Sequence, residues 1–551
     1  MDKGLRLSCF KQGLINRGVI EHPRLLEHMW QRAHDIGLPR VNRKELHTLA
    51  LQKDTRARAV GDNGVEFYTY HLARDPAARE VMTQDRPDYQ EGFRGITATL
   101  EWYARTKGAV LYEGIVGHPD SPISAKVAYV HPSATIGNLH MLANVLGEVP
   151  ADRANDEPDM LIVSNPSHAK TKFYLYPYGE ETGLAFNAGN DYGGPMKKIW
   201  FMLHWDYCTK LGYMPLHAGH TRWADTNGEL IDLAVIAQSG GGKSITTFNG
   251  KRIWGDDNII VDPNTGIGYW VEYGSYAKAD GLTMKHNANV LGTLERAPYP
   301  VWENVEWVES AEGVLTPDYC DLARTKNMRI SVPFSAFDNW DGSTSPGSKL
   351  HGILNLTKTD TAPPLMLFYH PELNNTANAV TAAVIEFSTN YIDKPTGATT
   401  RLSGVNRDGG ATTDFVWYLP VVMERLHSAL ENIHAQPFFA SMSVGSAGAV
   451  DITPSISKLL IDGLVNGTIR WATHPFRRDC LIPERVPGIT DETMDGMRLY
   501  TPTDFRKFQE DTLAELAGKY KYLDKTIGAP EEYLAYLKAE MQYATTSRPE
   551  Q

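Results

Sequence analysis

An apolar run, IDLAVIA at 231–237, ends abruptly in Gln238-Ser239-Gly240-Gly241-Gly242-Lys243-Ser244. A buried strand that gives way to three successive glycines and then Lys-Ser leaves few folds open. Glycines let consecutive backbone N–H groups turn toward one anion, the lysine supplies charge for the β- and γ-phosphates of a nucleotide, and the hydroxyl reaches a bound cation. The phosphate-loop pattern GxxxxGK[ST] asks for glycine at 237 and meets Ala237. The bland alternative is a glycine-rich turn between two strands, but the preceding strand and the Lys-Ser pair favour the phosphate loop. The segment that follows, SITTFNG, is poor in helix formers, so the helix opened by this loop is expected to be short.

Downstream, Trp254-Gly255-Asp256-Asp257 closes the β-like stretch KRIW. Adjacent carboxylates behind a phosphate loop suit Mg²⁺ or Mn²⁺ on a nucleotide, because hard cations take oxygen ligands. Alone the pair reads as a solvated loop; with the upstream loop the metal reading leads. A third cluster, Tyr192-Gly193-Gly194-Pro195-Met196-Lys197-Lys198 followed by His217 and His220, could bring cations to an anionic substrate. Taken by itself, it reads better as a surface turn with ordinary lysines, and a lone histidine as a hydrogen-bonded core residue.

The 551 residues carry 54 Lys+Arg against 66 Asp+Glu, a net charge of −12. That balance argues against a nucleic-acid coat or an anionic-membrane binder and favours small-molecule chemistry. The length accommodates several domains of about 150 residues, and 42% apolar residues give each a core. Four cysteines without CxxC spacing disfavour structural zinc and fit a reducing compartment. No apolar run approaches the ~20 residues that span a bilayer, and MDKGLRLSCFKQG lacks a signal-peptide core. A cytoplasmic protein is expected.

Punctuation along the chain gives the rest. RLLEHMWQRAHDIG predicts an amphipathic helix closed by Gly37. GAVLYEGIVG, AKVAYVH and DMLIVSN read as buried strands, with IGNLHMLANVLG a helix among them, so the N-terminal part is a mixed sheet covered by helices. NIIVD and IGYWVEY flank Pro263-Asn264-Thr265-Gly266 and predict a hairpin. Thr453 and Pro454 fit an N-cap and first helical residue, SISKLLIDGLVN the helix, and Gly467 its stop. The tail 503–546 predicts two amphipathic helices packed on the domain. The fold class is α/β, with domains expected at 1–215 and 216–551.

In order and spacing, YGGPMKKIWF, LHAGH, AQSGGGKS and GDDNIIVDPNTGIGYWVEYGSYAK resemble the active-site blocks of the phosphoenolpyruvate carboxykinases: YxGEMKKxxF, MHCSAN, GxSGTGKTT and GDDEHxW…GGCYAK. More weakly, GAVLYEGIVGHP…DMLIVSN is similar to the family's N-terminal strands, NMRISVPF to its NTRxxYPI segment, and PSISKLLIDGLVNG…PFRRDCLIPERVPGI to its C-terminal stretch. The resemblance is to the ATP-type enzymes. It implies an N-terminal α/β domain plus a phosphate-loop domain and a divalent metal (Mn²⁺, Mg²⁺ or both) held by Lys198, His217 and Asp257. It also implies a nucleoside triphosphate, ATP ahead of the others, served by Ser239, Gly240, Gly241, Gly242, Lys243 and Ser244, with Ser244 on a second metal. Asp256 would orient metal-bound water and Tyr192 would face the carboxylate substrate. A lysine ligand must be neutral, which implies a depressed pKa.

The departures are as informative. For the substrate arginine of FTGRSP this chain offers only Arg58, with Arg56 beside it; the arginine after LTADAFGVLPPVS falls on Leu365, Met366, Leu367 and Phe368; and GSAGAVDIT has no arginine where the GKRIS segment carries one. A bidentate guanidinium is not replaced by Leu. Three readings follow: oxaloacetate decarboxylation with phosphoryl transfer to give phosphoenolpyruvate; a divergent kinase acting on another hydroxyl-bearing acid, sugar or amino acid, with Asp256 as general base; and a silent nucleotide-binding regulator.

Overall fold

The computed structural model describes residues 87–106, 108–169, 172–176, 183–190, 193–237, 242–279, 281–297, 300–321, 328–342, 344–357, 366–369, 376–377, 380, 419–433, 438–443, 445–447, 450–478, 480–497, 505–524 and 529–547, with the short strands at 20–21, 40–43, 46–51 and 65–67. The chain divides into two compact units, Met1–Leu211 with Val271–Pro346 and Gly212–Trp270 with Gly347–Gln551. Residues 271–346 thus count with the first unit. Strand pairing brings them there: Gly274–Lys278 runs antiparallel to Arg329–Pro333, which pairs with Val301–Glu303, itself parallel to Leu46–Leu51. The helix expected at RLLEHMWQRAHDIG lies outside the described residues.

In the first unit a seven-stranded mixed sheet runs in the order Ile20–Glu21, Ala109–Val116, Ala125–Pro132, Met160–Asn165, Gly183–Ala188, Lys172–Tyr176, Val65–Phe67. Ala109–Val116 and Ala125–Pro132 are buried along their whole length, Glu113, Lys126 and His131 included, so both faces of the sheet are covered there. The helix Pro87–Thr106 covers one face. Its Ile96, Leu100 and Tyr103, spaced to share one helical stripe, are buried in one cluster with Leu111, Val130, Leu161, Val163 and Phe186. The helix Gly193–Lys210 lies on the other face, where the Tyr129 hydroxyl donates to the Met196 carbonyl at 2.7 Å. The buried Lys126 ammonium is fully employed: it donates to the carbonyls of Arg153, Ala154 and Asp156 at 3.3, 3.0 and 2.9 Å and pairs with Glu113 at 3.2 Å. Burial of an ammonium is tolerable only with such saturation.

The second unit is built on an eight-stranded sheet, ordered Arg252–Gly255, Ala218–Ala224, Leu230–Ala237, Gly352–Thr357, Phe438–Ser443, Met366–Tyr369, Cys480–Arg485, Arg470–Thr473. The apolar run before the glycines is its third strand, antiparallel to Ala218–Ala224 and parallel to Gly352–Thr357. A four-stranded sheet contains the expected hairpin: Ile259–Val261 pairs antiparallel with Ile267–Trp270, and the turn is closed by Gly266 at φ +70°. There a Cβ would stand 2.5 Å from the Asn432 carbonyl oxygen, so glycine is required both for the backbone angle and for space.

The C-terminal helices form where expected. Phe505–Tyr522 and Glu531–Thr546 are tied to the unit by buried charge, with Glu540 receiving Arg477 and Arg478 at 3.6 and 3.4 Å. Pro454–Val465 begins at Thr453, whose side chain accepts the Ile456 N–H, and is followed by left-handed Gly467 at φ +61°. Replacing Thr453 by Ala should cost about 1 kcal/mol, whereas Thr453→Ser should stay within a few tenths; denaturant midpoints of the two variants read the difference, and equal midpoints would remove the cap from the account.

Candidate active site

One chain segment passes through two sheets of the second unit. Met214–Leu216 pairs with Ile259–Val261 in the four-stranded sheet, and Ala218–Ala224 pairs with Arg252–Gly255 in the eight-stranded one. His217 therefore sits at the changeover on one side, and Asp256-Asp257-Asn258 at the changeover on the other. Leu216 lies opposite Ile259 and His220 opposite Gly255, which leaves His217 and Asp257 facing each other. The result is a contact of 2.9 Å between His217 Nε2 and Asp257 Oδ1.

The strand that precedes the glycine run ends at the same place. Ala218 is opposite Ile236, so the end of the strand Leu230–Ala237 lies beside His217, and the chain then enters the helix Lys243–Phe248 through Gly242 at φ +84°. The helix has only six residues and no side-chain cap, as expected from a Thr-rich sequence. It lies close on the strand Ala218–Ala224 because Gly219 has no side chain. A Cβ at 219 would stand 2.1 Å from Thr247 Oγ1 and 3.0 Å from the Asp256 carbonyl oxygen. Lys243, buried at 6% exposure, donates from Nζ to Asp257 Oδ1. One carboxylate oxygen thus receives both an imidazole and an ammonium.

Behind this front lies a polar network that sequence reasoning did not anticipate. His220 is fully buried, stacked on Trp254 with ring centroids 5.5 Å apart, and its Nε2 lies 3.2 Å from Ser348 Oγ. Arg222 binds Asp232 with Nε to Oδ1 at 2.9 Å and Nη2 to Oδ2 at 3.2 Å, and lies 4.8 Å over the same Trp254 ring. Burial pushes the Asp232 carboxyl up, and the hydrogen bond and charge of Arg222 pull it back. Strand alternation at 218–224 was the available signal, since it turns His220 inward.

In the first unit, the lysine pair begins the helix Gly193–Lys210. Lys197 points inward and binds buried Glu272 at 2.7 Å, with its ammonium 4.8 Å over the Phe201 ring, while Lys198 is exposed. The helix start is held by the buried carboxylate of Glu303, which accepts the Gly193 N–H at 3.2 Å and the Tyr276 hydroxyl. An anion is favoured at a helix N-terminus. Nothing in the sequence places Glu303 there, because the contact spans 110 residues. Arg58, Tyr192, Ser239, Gly240 and Gly241 lie outside the described residues.

These donors fit a divalent cation. Asp257 and His217 offer an oxygen and a nitrogen to one point, and the Lys243 ammonium already rests on that oxygen as a stand-in positive charge. Among the described residues no group of three or more His, Cys, Asp or Glu gathers, so a complete shell needs a ligand of another kind.

The phosphoenolpyruvate carboxykinase family model, of the ATP type, matches residues 89–366. The chain belongs to the phosphoenolpyruvate carboxykinase family. Two similar relatives, the phosphoenolpyruvate carboxykinase (ATP) of Leptospira biflexa serovar Patoc in strains Patoc 1 / Ames and Patoc 1 / ATCC 23582 / Paris, are each 26% identical over 268 residues, 47% of this chain and 47% of the relative. The chain spans about half the length of the curated relatives it matches. The matched region contains Tyr192, Lys198, His217, Lys243, Asp256 and Asp257, but neither Arg58 nor the segment GSAGAVDIT. No described helix is long and apolar enough to cross a membrane.

Burial pushes His220 down to about 3, with Arg222 adding to it, and burial takes His204 to about 4. An unfolded chain protonates its histidines near 6.5. Below that value the unfolded state binds more protons, so this stability is whole above pH 6.5 and drains away as pH falls toward 3. Urea midpoints should therefore drop from pH 7 to pH 4, and His220→Phe, which keeps a ring against Trp254, should show a shallower drop; an unchanged slope would acquit His220.

Proposed function

We propose that the protein carries out metal-dependent phosphoryl transfer from a nucleoside triphosphate, ATP first among them. The most concrete form is the phosphoenolpyruvate carboxykinase reaction, oxaloacetate and triphosphate giving phosphoenolpyruvate, diphosphate and CO₂. The observation that carries the reading is the meeting of Lys243, His217 and Asp257 at the point where the glycine run ends, within a chain of this family. Lys243 and the backbone N–H groups around Gly240, Gly241 and Gly242 hold the phosphates, with Ser239 and Ser244 at either end of the loop. His217 and Asp257, joined by Lys198, hold the metal, and Ser244 contacts a second one. Asp256, buried beside Asp257, orients water at the site. Tyr192 and Arg58 bind the carboxylate substrate.

A bound Mn²⁺ or Mg²⁺ supplies charge neutralisation at the phosphates and at the enolate oxygen. Positioning and electrostatics carry most of phosphoryl transfer, so the part of this chain's residues is to align donor and acceptor and keep bulk water out. A cytoplasmic location, with small molecules and nucleotide as the only partners, belongs to the same proposal.

A second reading, a kinase acting on another small hydroxyl-bearing metabolite, is favoured by the missing arginines. Leu365, Met366, Leu367 and Phe368, and the arginine-free GSAGAVDIT, stand where the family pattern grips phosphate and nucleotide. In that reading Asp256 takes the acceptor's proton.

An assay of oxaloacetate, Mn²⁺ and a panel of nucleoside triphosphates separates the two, since absence of phosphoenolpyruvate with every nucleotide discards the first. Lys243→Ala should lower turnover by at least about 10³-fold in either reading; undiminished activity would discard the phosphate-loop mechanism itself.

A further inference from the structure

We propose that Lys243 is an exchangeable counter-ion that couples metal binding to phosphate binding. The inference rests on the metal and nucleotide assignments above and adds a relation between them. Asp257 Oδ1 accepts from His217 Nε2 and from Lys243 Nζ at once. A divalent ion held by His217 and Asp257 has to enter between Nε2 and Oδ1 in place of the proton that the two atoms share. Two positive charges on one carboxylate oxygen repel each other, and Lys243 is the one on a flexible stem. Metal entry therefore expels Lys243 from Asp257.

Lys243 is nearly buried, so it cannot simply turn into water, and its ammonium needs another anion. It opens the helix Lys243–Phe248 directly behind left-handed Gly242, and on the reading above the anion offered to it there is a phosphate of the bound nucleotide. Phosphate draws the lysine off Asp257 and so exposes the metal ligand; metal drives the lysine toward phosphate. Each ligand lowers the cost of binding the other, and linkage makes the effect reciprocal. Asp257 meanwhile remains paired at every stage, which matters for a carboxylate that is only partly exposed.

Calorimetric titration of the full chain tests both directions without turnover. With Mn²⁺ alone, Lys243→Met should bind the ion about tenfold more tightly than the natural protein, because the competitor is gone, whereas Lys243→Arg should bind as the natural protein does. With ATP alone in EDTA, Asp257→Asn should bind the nucleotide about tenfold more tightly, because the lysine is already released. Both gains should persist in ~1 M sodium chloride, where the Debye length is about 3 Å and only contact effects remain. If Mn²⁺ and ATP bind at this site but neither substitution tightens the other ligand, or if the gains vanish in salt, the exchange is overturned and the site assignment stands. If Asp257→Asn leaves Mn²⁺ binding untouched, or Lys243→Met leaves ATP binding untouched, the site assignment itself has failed. Near-ultraviolet circular dichroism of each variant keeps misfolding apart from these outcomes.

Discussion

The segment from Met214 to Ala224 pairs with one sheet before His217 and with another after it, and the segment facing it, Arg252–Val261, does the same around Asp256 and Asp257. Backbone pairing alternates side chains rigidly between faces, so a change of sheet is one of the few places where two facing loops can be held by strands on both sides. His217 and Asp257 occupy those two loops, and the contact between them is fixed by four strands rather than by their own attraction. Lys243 follows a further strand of the same sheet, Leu230–Ala237. Were the pairing to slip by one residue, all three groups would separate.

Within each unit the protein buries polar groups that only mutual pairing makes tolerable. Arg222 with Asp232, Lys197 with Glu272 and Lys126 with Glu113 are each held on a covered face of a sheet or helix. Buried pairs of this kind give little net stability, since desolvation offsets attraction, but losing one member leaves a stranded charge. They fix orientation. The Lys197–Glu272 pair sets the rotation of the helix Gly193–Lys210 and thereby turns Lys198 to the surface, and Glu303 fixes where that helix begins.

Family membership and divergence separate along the chain. The family match runs through Lys198, His217, Lys243, Asp256 and Asp257 and stops at Met366, inside the apolar stretch from Leu365 to Phe368. Groups that handle charge close to the reacting phosphate are under a common physical demand, whatever the acceptor. On the reading proposed above, groups that recognise the acceptor and the base are free to change with the ligand, and the arginine-free stretches of this sequence are of that kind.

Much of this was legible without coordinates. The strand IDLAVIA, the hairpin around Gly266 and the helix from Thr453 to Val465 all formed where local rules put them, because each depends on residues only a few positions apart. The brevity of the helix after the glycines was likewise written in SITTFNG. The helix Pro87–Thr106 was not recognised, since its mixed charges obscure the apolar stripe of Ile96, Leu100 and Tyr103. The chain alone supplied the chemistry on offer: a lysine after glycines, paired aspartates and a histidine in order. Tertiary structure decided which of these meet. It gave Lys197 a buried partner in Glu272, turned His220 into a neutral core residue, placed Glu303 at a helix start 110 residues away, and set Lys243 and His217 on the same oxygen of Asp257. Those outcomes depend on strand pairing over long separations, which no local pattern encodes.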